Sequence, residues 1–420
     1  MEKDVYKSSR TLYIIEAALE YFISLLVSGA YIAKLTSAIG LPDNITAILT
    51  SFVSLGCGFQ IVALFIARNK SVKRLVIILH SLNQLFFALV YFIPFIKIPK
   101  IVKYVVFTLL LLSGHAINNV VNSPKINWYM SLIDNKKRGS FTANKEIVSL
   151  VSGVAFTAII GSVIDNFELS GNLNGAFIFC GIGVFGLAVL HSLTLIFSAE
   201  KPKEEVKQTN VKQSLKELIK DKTLFKIILV SVLWNIANYS TTPFYGTYVI
   251  KELGFQMLFI SILSAFGSFS RAIFSRPFGK YADKHSFAKL INICFIIELC
   301  AFTINVFTVP SNGKYFYAMY LILHSIGMAG INSSAINLIY DYVDVEKRTS
   351  ALALKSAIAG IIGFLTTFVV SMLVNYIQGN GNVFLGLNVY AQQITSAIAA
   401  IATGVCIVYV NVVVKKIKKQ

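Results

Sequence analysis

Residues 122–145 read NSPKINWYMSLIDNKKRGSFTANK, and residues 332–355 read NSSAINLIYDYVDVEKRTSALALK. The two stretches are 210 residues apart, half of the 420-residue chain, and ten of their 24 positions are identical without a gap. Unrelated stretches of this length would share about one or two residues by chance. The chain is therefore predicted to contain two copies of one half.

The composition is that of a membrane protein. Hydrophobic residues make up 55% of the chain and charged residues 14%, whereas a soluble domain carries about 25% charged residues. The net charge of +18 comes from basic residues in short connectors, which lack the clustered basic face that nucleic-acid binding requires. The five cysteines lie in apolar runs without a CxxC pair, so we expect neither a disulfide framework nor a metal site.

Twelve apolar segments are long enough to cross a bilayer, which takes about 20 residues each. Six fall in each half, so we predict an all-α membrane protein of two pseudo-symmetric six-helix bundles. The bundles are placed at 1–199 and 223–420, and a cytoplasmic linker at 200–222 contains an amphipathic helix near 214–222. The predicted spans are 11–40, 43–67, 74–96, 102–129, 140–165, 172–198, 223–251, 255–278, 286–309, 314–338, 350–377 and 386–414.

The Lys and Arg residues predict the orientation. With both termini in the cytoplasm, 29 of the 38 basic residues fall in cytoplasmic connectors or ends and only six fall outside. Cytoplasmic loops of membrane proteins carry such an excess of positive charge. We therefore expect both termini to be cytoplasmic and the protein to lie in a cell membrane, with a Lys-, Asn- and Ile-rich composition that is typical of an AT-rich bacterial genome.

The connector after the eighth span reads RPFGKYADK from residue 276 to residue 284. It resembles the loop pattern G-x-L-A-D-R-x-G-R-K of the major facilitator superfamily, found between helices 2 and 3 and again between helices 8 and 9. Ser286 replaces the second glycine, and the equivalent first-half loop at 65–75 is degenerate, with Arg68 opposite Asp283. The matching positions are Gly279, Ala282, Asp283 and Lys284.

The resemblance implies a 12-helix transporter that works by alternating access, with this connector as a gating loop. A glycine there lets two helix ends approach closely, and an aspartate can pair with an arginine or lie at a helix N-terminus. The alternative is an ordinary positively charged cytoplasmic loop. The residues assigned to the gating loop are Arg276, Gly279, Asp283 and Lys284.

The repeated stretch supplies a second candidate gate. Asp134 and Arg138 recur as Asp344 and Arg348, and the four-residue spacing allows an ion pair at a helix end. The functional interpretation is a pair of equivalent latches, one in each half. The alternative is charge that sets the topology and was inherited by duplication.

Polar residues form stripes in spans 1, 4, 7 and 10, the helices that line the central cavity if the resemblance holds. Such residues either face a solute cavity or make hydrogen bonds between helices worth about 0.6 kcal/mol each. The solute-cavity candidates are Tyr31, Asn118, Asn119, Asn122, Trp234, Asn235, Asn238, Thr242, Tyr245 and Asn332.

Three ionisable residues within the spans are candidates for proton coupling. Glu16 and Glu20 lie four residues apart on the first span, and His115 lies on the fourth. A carboxyl group inside a membrane protein can take and release protons, which a proton-coupled carrier requires. For Glu16 the alternative is solvation near the inner surface, and for His115 it is a polar histidine with its hydrogen bonds satisfied.

The function expected from these features is secondary active transport of a small organic solute, coupled to protons. The chain contains no G-x-x-x-x-G-K-[ST] loop for ATP and no HExxH or GxSxG motif, so we expect no enzyme and no cofactor. The expected partners are membrane lipid, the solute and protons, with the chain a monomer. The alternatives are a receptor or scaffold that does not transport, and a lipid scramblase. The solute is either a sugar-like or amphipathic neutral molecule, or a lipophilic cation attracted to Glu20.

Overall fold

The computed structural model is almost entirely helical. It describes residues 5–66, 72–134, 138–201, 211–344 and 347–417, with the side chains of 138–140 and 143 outside that description. The helices are α1 Lys7–Leu26, α2 Gly29–Ile39, α3 Asp43–Thr50, α4 Phe52–Gly56, α5 Gln60–Ile66, α6 Val72–Val90, α7 Lys100–Ser131, α8 Arg138–Leu169, α9 Leu173–Phe197, α10 Val211–Lys220, α11 Lys222–Tyr239, α12 Tyr245–Thr247, α13 Met257–Lys284, α14 Phe287–Val306, α15 Gly313–Tyr342, α16 Arg348–Gly379 and α17 Ala391–Val412.

The predicted number of membrane spans agrees with this structure. Among the described residues, 11 helical segments are long and apolar enough to cross a membrane, and the bent pair α1 and α2 makes a twelfth if it is one span. The prediction of an all-α membrane protein with 12 spans is confirmed. The amphipathic helix expected near 214–222 is α10.

The first span is broken. Helix α1 ends at Leu26, α2 begins at Gly29, and the two helices are bent by 42°. Gly29 has a φ of +52°, a left-handed conformation that costs glycine little and other residues more. The sequence predicts one continuous span here because hydropathy does not report a change of backbone direction.

One short hairpin interrupts the helices. Strands β1, Val383–Phe384, and β2, Leu387–Asn388, pair antiparallel between α16 and α17. Leu385 and Gly386 form the two-residue turn, and both have positive φ, as a tight hairpin turn of this kind requires.

The backbone divides into two compact units. The first comprises Met1–Ile39, Phe59–Gln208 and Gln256–Ser261, and the second comprises Gly40–Gly58, Thr209–Phe255 and Ile262–Gln420. The units are therefore discontinuous in sequence, whereas the predicted domains at 1–199 and 223–420 are continuous. Those domain boundaries and the linker at 200–222 stay a prediction.

Small residues bring helices of the second unit close together. The Ser54 hydroxyl of α4 donates to the carbonyl of Gly360 in α16 at 2.9 Å. A Cβ added at Gly360 would lie 2.4 Å from the Ser54 carbonyl oxygen and 2.7 Å from the Cys57 Cβ. Glycine is needed here because association of membrane helices depends on close backbone packing.

Replacing Gly360 with alanine is therefore expected to destabilise the protein by about 1–3 kcal/mol, the usual cost of overpacking. The matched control is Gly404→Ala in α17, because a Cβ there meets no atom within 4 Å. Thermal unfolding of the purified variants should show a lower midpoint for Gly360→Ala and no loss for Gly404→Ala. Equal midpoints would show that α4 and α16 do not need this glycine.

Candidate functional site

Five ionisable side chains converge inside the first unit. Glu16 and Glu20 come from α1, His80 from α6, Lys125 from α7 and His191 from α9. We call these five residues the carboxylate–lysine cluster. Four helices supply its members, and all of these helices belong to the first unit.

The Lys125 ammonium is the centre of the cluster. Its Nζ donates to Glu16 Oε1 at 2.9 Å, to His80 Nε2 at 3.0 Å and to a carboxylate oxygen of Glu20. An ammonium has three hydrogen atoms to donate, so its donors are fully used. The Glu16, His80 and Lys125 side chains are buried, whereas 23% of the Glu20 side chain is accessible. Glu20 is thus the member through which the cluster can be reached.

The two histidines extend the network. His191 Nε2 lies 2.9 Å from Glu16 Oε1, and the two imidazole rings are 4.5 Å apart in an edge-to-face arrangement. Because His80 Nε2 accepts from Lys125, its proton is assigned to Nδ1, which lies 3.2 Å from Asn83 Oδ1. His80 therefore uses Nε2 as an acceptor, whereas His191 Nε2 donates to Glu16.

Two polar atoms of the cluster have no hydrogen-bond partner within the described residues. They are Glu16 Oε2 and His191 Nδ1, and both side chains are fully buried. The expectation that water solvates Glu16 near the inner surface is wrong, because α7 and α9 cover it. The free nitrogen and oxygen can each receive a proton without breaking an existing contact.

The ligand atoms of the cluster also have a spacing that a metal ion would accept. One atom each from Glu16, Glu20, His80 and His191 lie within 4.8 Å of one another. The Lys125 ammonium contacts three of these residues, so it supplies the positive charge that the carboxylates require. The arrangement is that of a buried ion pair able to hold a further proton.

His115, the third candidate for proton coupling, does not join the cluster. It lies ten residues before Lys125 on α7, a rise of about 15 Å along the helix. Its ring is 5.0 Å from that of Phe87, and its Nε2 has no partner in the part of the chain that the structure describes.

His80 and His191 are site residues that were not predicted from the sequence. Both are histidines within apolar segments, and this is the signal that could have identified them. Their contacts could not be foreseen, because 60 or more residues separate each histidine from Glu16 and Glu20.

The solute-cavity candidates of the first unit are in different situations. The Tyr31 hydroxyl is buried, 3.0 Å from the Thr157 carbonyl and 2.9 Å from Ser261 Oγ. Asn118 Oδ1 is buried without a partner among the described residues. The amide of Asn119 is bonded at both ends, to Gln60 and to the His115 carbonyl, and Asn122 is half-buried.

In the second unit, Trp234 and Asn235 contact neighbouring helices. The Trp234 side chain is buried and stacks on Phe295 at 5.5 Å. Asn235 donates to the Ala359 carbonyl at 2.7 Å. Both contacts are of the helix-packing kind.

The remaining candidates of the second unit differ in accessibility. Tyr245 is buried with its hydroxyl 2.9 Å from Ser396 Oγ, and Thr242 donates to the Asn238 carbonyl. Asn238 Oδ1 has no partner in the described ranges, and Asn332 is exposed. Asn238 is therefore the second candidate, with Asn118, that retains a free amide oxygen.

The proposed gating loop is helical. Helix α13 continues through the expected connector to Lys284, and Ser286 caps α14 by accepting from the Lys289 amide. Arg276 and Asp283 are exposed. A Cβ at Gly279 would meet open space, so the close approach expected at that glycine does not occur in this structure. Arg68, which the sequence comparison places opposite Asp283, lies outside the described residues.

In the second copy of the repeat, the Arg348 side chain contacts the C-terminal end of α15. Arg348 Nε donates to the Val343 carbonyl at 3.0 Å and Nη2 to the Tyr340 carbonyl at 2.9 Å. The last carbonyls of a helix lack partners within the helix and attract a cation. Arg348 therefore binds the end of α15 rather than Asp344, which is exposed.

The first copy is described only in part. Asp134 is exposed three residues after α7 ends, and α8 begins at Arg138, whose side chain lies outside the described part. Lys145 lies over the Tyr13 ring at 5.2 Å. The latch function of the two copies stays a prediction.

Helix α10 is tied to the second copy. Lys347 Nζ lies 2.7 Å from a Glu217 carboxylate oxygen. Hydrogen bonds from Lys347 and Gln213 hold the pKa of the Glu217 carboxyl below its ordinary value. Because the folded-state pKa is lowered, any stabilisation from this pair is present at neutral pH and is lost as the pH falls.

Comparison with known proteins identifies the family. A sequence model of the Major Facilitator Superfamily matches residues 12–367 and, in a second match, residues 240–419. These matches cover most of the chain. The chain therefore belongs to the Major Facilitator Superfamily and is a membrane transporter.

Solved structures share the fold over the full length. The nucleoside transporter NupG has a TM-score of 0.71 and 16% identity, and the match covers 100% of each chain. A D-xylose–proton symporter has a TM-score of 0.68 and 14% identity, covering 95% of this chain and 96% of that one. A bacterial homologue of the human lysosomal transporter Spinster, inward-facing and occupied, has a TM-score of 0.66 and 14% identity, covering 98% and 97%. The sequence matches no curated protein significantly.

Proposed function

We propose that this transporter couples movement of a neutral, hydroxyl-bearing solute to protons, and that the carboxylate–lysine cluster binds the coupled proton. The observation that carries the proposal is the set of contacts from Lys125 to Glu16, Glu20 and His80. These contacts join ionisable groups of three helices inside the membrane region, where charge is otherwise costly.

The charge of the cluster explains why it would take a proton. With both imidazoles neutral, two carboxylates and one ammonium leave one net negative charge. A buried cluster is most easily accommodated when it is neutral. One proton neutralises the cluster, so a protonated and a deprotonated state differ in charge by one unit.

Glu20 is the proposed point of entry for that proton. It is the member with 23% of its side chain accessible, whereas Glu16 is fully buried. Protonation of Glu20 weakens its attraction to Lys125, whose ammonium remains held by Glu16 and His80. The cluster can therefore change its contacts without losing its central cation.

Free hydrogen-bond acceptors and the position of Lys125 favour a neutral, hydroxyl-bearing solute. Asn118 and Asn238 each have a buried amide oxygen without a partner among the described residues, and such oxygens accept hydrogen bonds from hydroxyl groups. A cationic solute is disfavoured because the Lys125 ammonium lies between the two carboxylates. Nucleosides and xylose, the solutes of two transporters with this fold, are hydroxyl-bearing and uncharged.

Uptake by proteoliposomes tests this proposal with uridine and D-xylose as probes. A one-unit inward pH gradient is expected to accumulate one of them up to about tenfold if one proton is coupled, because one pH unit is worth about 1.4 kcal/mol. A protonophore should abolish accumulation, and protein-free liposomes are the control. Transport of neither probe would contradict the solute class. Accumulation that the protonophore does not affect would contradict proton coupling.

The gates, the membrane and the oligomeric state are also proposals or predictions. We propose Arg276, Asp283, Asp134 and Asp344 as parts of the gates, and a bacterial cell membrane with both termini in the cytoplasm as the location. A monomeric state stays a prediction.

A further inference from the structure

The second unit contains a buried carboxylate that the proposed mechanism does not use. Glu298 lies on the apolar helix α14 and is fully buried. Its Oε2 is 2.8 Å from Nδ1 of His324 on α15, and its Oε1 has no hydrogen-bond partner among the described residues. A carboxylate in this position is costly unless it has a clear electrostatic partner or a proton.

No ammonium or guanidinium faces this carboxylate in the described part of the chain. The titratable groups around it are His324 and Tyr320 from α15 and Cys294 from its own helix. Helix α17, also packed against α14, carries no Asp, Glu, Lys, Arg or His. On the α11 side the contact is Trp234 stacked on Phe295. The pair differs in this respect from the first-unit cluster, which contains a lysine.

The helices are shaped around the pair. A Cβ at Gly327 of α15 would lie 2.5 Å from Glu298 Oε1, so the carboxylate occupies the space that a side chain at this position would take. The Tyr320 ring stacks on the His324 ring at 5.5 Å. The imidazole retains 17% accessibility, so it offers a route between the carboxylate and the surroundings.

We propose that Glu298 and His324 form a second proton-binding site of this transporter. The pair is electrically neutral only when it holds one proton, either on the carboxyl group or as an imidazolium beside a carboxylate. His324 Nε2 accepts a proton from a hydronium ion, which is left as water, and the Nδ1 proton then passes to Glu298 Oε2. Nδ1 is left as the acceptor of the new carboxyl O–H, so protons and charges balance.

The two proton sites lie in different compact units. In the 210-residue repeat Lys125 is aligned with Ala335, so the second unit has no lysine at that position. The coupling of a second proton to transport at this site rests on the proposed function, but proton binding at the site does not.

Infrared difference spectroscopy between high and low pH tests the site in the purified full-length protein. The wild type is expected to show protonated carboxyl C=O bands that shift in D2O, and one of them is expected to be absent from Glu298→Gln and kept in Glu20→Gln. His324→Gln should move the pH midpoint of that band by about one unit or more, because a hydrogen-bonded partner is removed. The isosteric Glu298→Gln keeps a hydrogen bond to His324, and its thermal midpoint checks folding.

Retention of the full wild-type band in a folded Glu298→Gln variant would overturn the second site. If Glu298→Gln loses that band and the wild type shows no proton-driven uptake, the second site would be supported and the proposed function contradicted. Proton-driven uptake without a Glu298-dependent band would support the proposed function and contradict the second site. The two proposals can thus fail separately.

Discussion

Replacing Lys125 with methionine is expected to destabilise the protein by about 3–5 kcal/mol, because it leaves the buried Glu16 and the partly buried Glu20 carboxylates without their cation. Lys125 donates to Glu16, Glu20 and His80, and only 3% of its side chain is accessible. Methionine fills a similar volume with apolar atoms, so the loss would come from charge rather than from a cavity. Thermal unfolding of the purified variant measures it as a large fall in the midpoint.

Two further variants separate charge from packing. Lys34→Met removes an ion pair with Glu168, whose side chain is 45% accessible, and should cost at most about 1 kcal/mol. The triple variant Glu16→Gln, Glu20→Gln, Lys125→Met has no charge in the cluster, and it should recover most of the stability. A triple variant as unstable as Lys125→Met would show that Lys125 acts through packing.

Replacing Glu20 with glutamine is expected to abolish proton-driven accumulation of the probe solute. The substitution leaves one carboxylate and one ammonium, so the cluster is neutral without taking a proton. The inside-to-outside ratio of the probe at steady state should fall from as much as about tenfold per pH unit to about one. Exchange of labelled for unlabelled probe, which needs no net proton movement, should persist.

Glu168→Gln is the matched control for Glu20→Gln. Both changes remove a carboxylate from a lysine ion pair, but the Lys34–Glu168 pair is exposed and lies outside the cluster. Accumulation by Glu168→Gln should match the wild type. Wild-type accumulation by Glu20→Gln would exclude Glu20 as the coupling residue.

The fold follows from local properties of the sequence, and the sequence therefore predicts most of it. Apolar segments of about 20 residues and the 210-residue repeat indicate 12 spans in two sets of six. The break between α1 and α2 is missed because the segments on both sides of Gly29 together are long and apolar enough to form one span. Its signal is the glycine, whose positive φ only the structure shows.

The site depends on contacts between distant residues, and the sequence predicts only part of it. Glu16 and Glu20 can be identified because charges are rare within spans. Lys125 can be identified as a charged residue that is aligned with Ala335 in the repeat. Its contacts with α1 cannot be deduced from the alignment. Helix packing, which the sequence does not specify directly, brings His80 and His191 to the same point.

Several polar residues of the predicted stripes and latches make contacts that their spacing along one helix does not predict. Tyr245 and Asn235 lie on the expected face of α11 or just beyond it, yet they bond to Ser396 and to the Ala359 carbonyl. Arg348 has the spacing for a pair with Asp344, yet it binds carbonyls at the end of α15. In each case a nearby backbone or hydroxyl acceptor satisfies the side chain, and spacing along one helix does not reveal that acceptor.

Proton flux measures directly whether solute movement carries protons through the carboxylate–lysine cluster. A pH-sensitive dye is enclosed in proteoliposomes without an initial pH gradient, and the probe found by the uptake assay is added outside. The wild type should acidify the interior only when the probe is added, and Glu20→Gln should not. Entry of the probe into wild-type proteoliposomes without acidification would contradict the account.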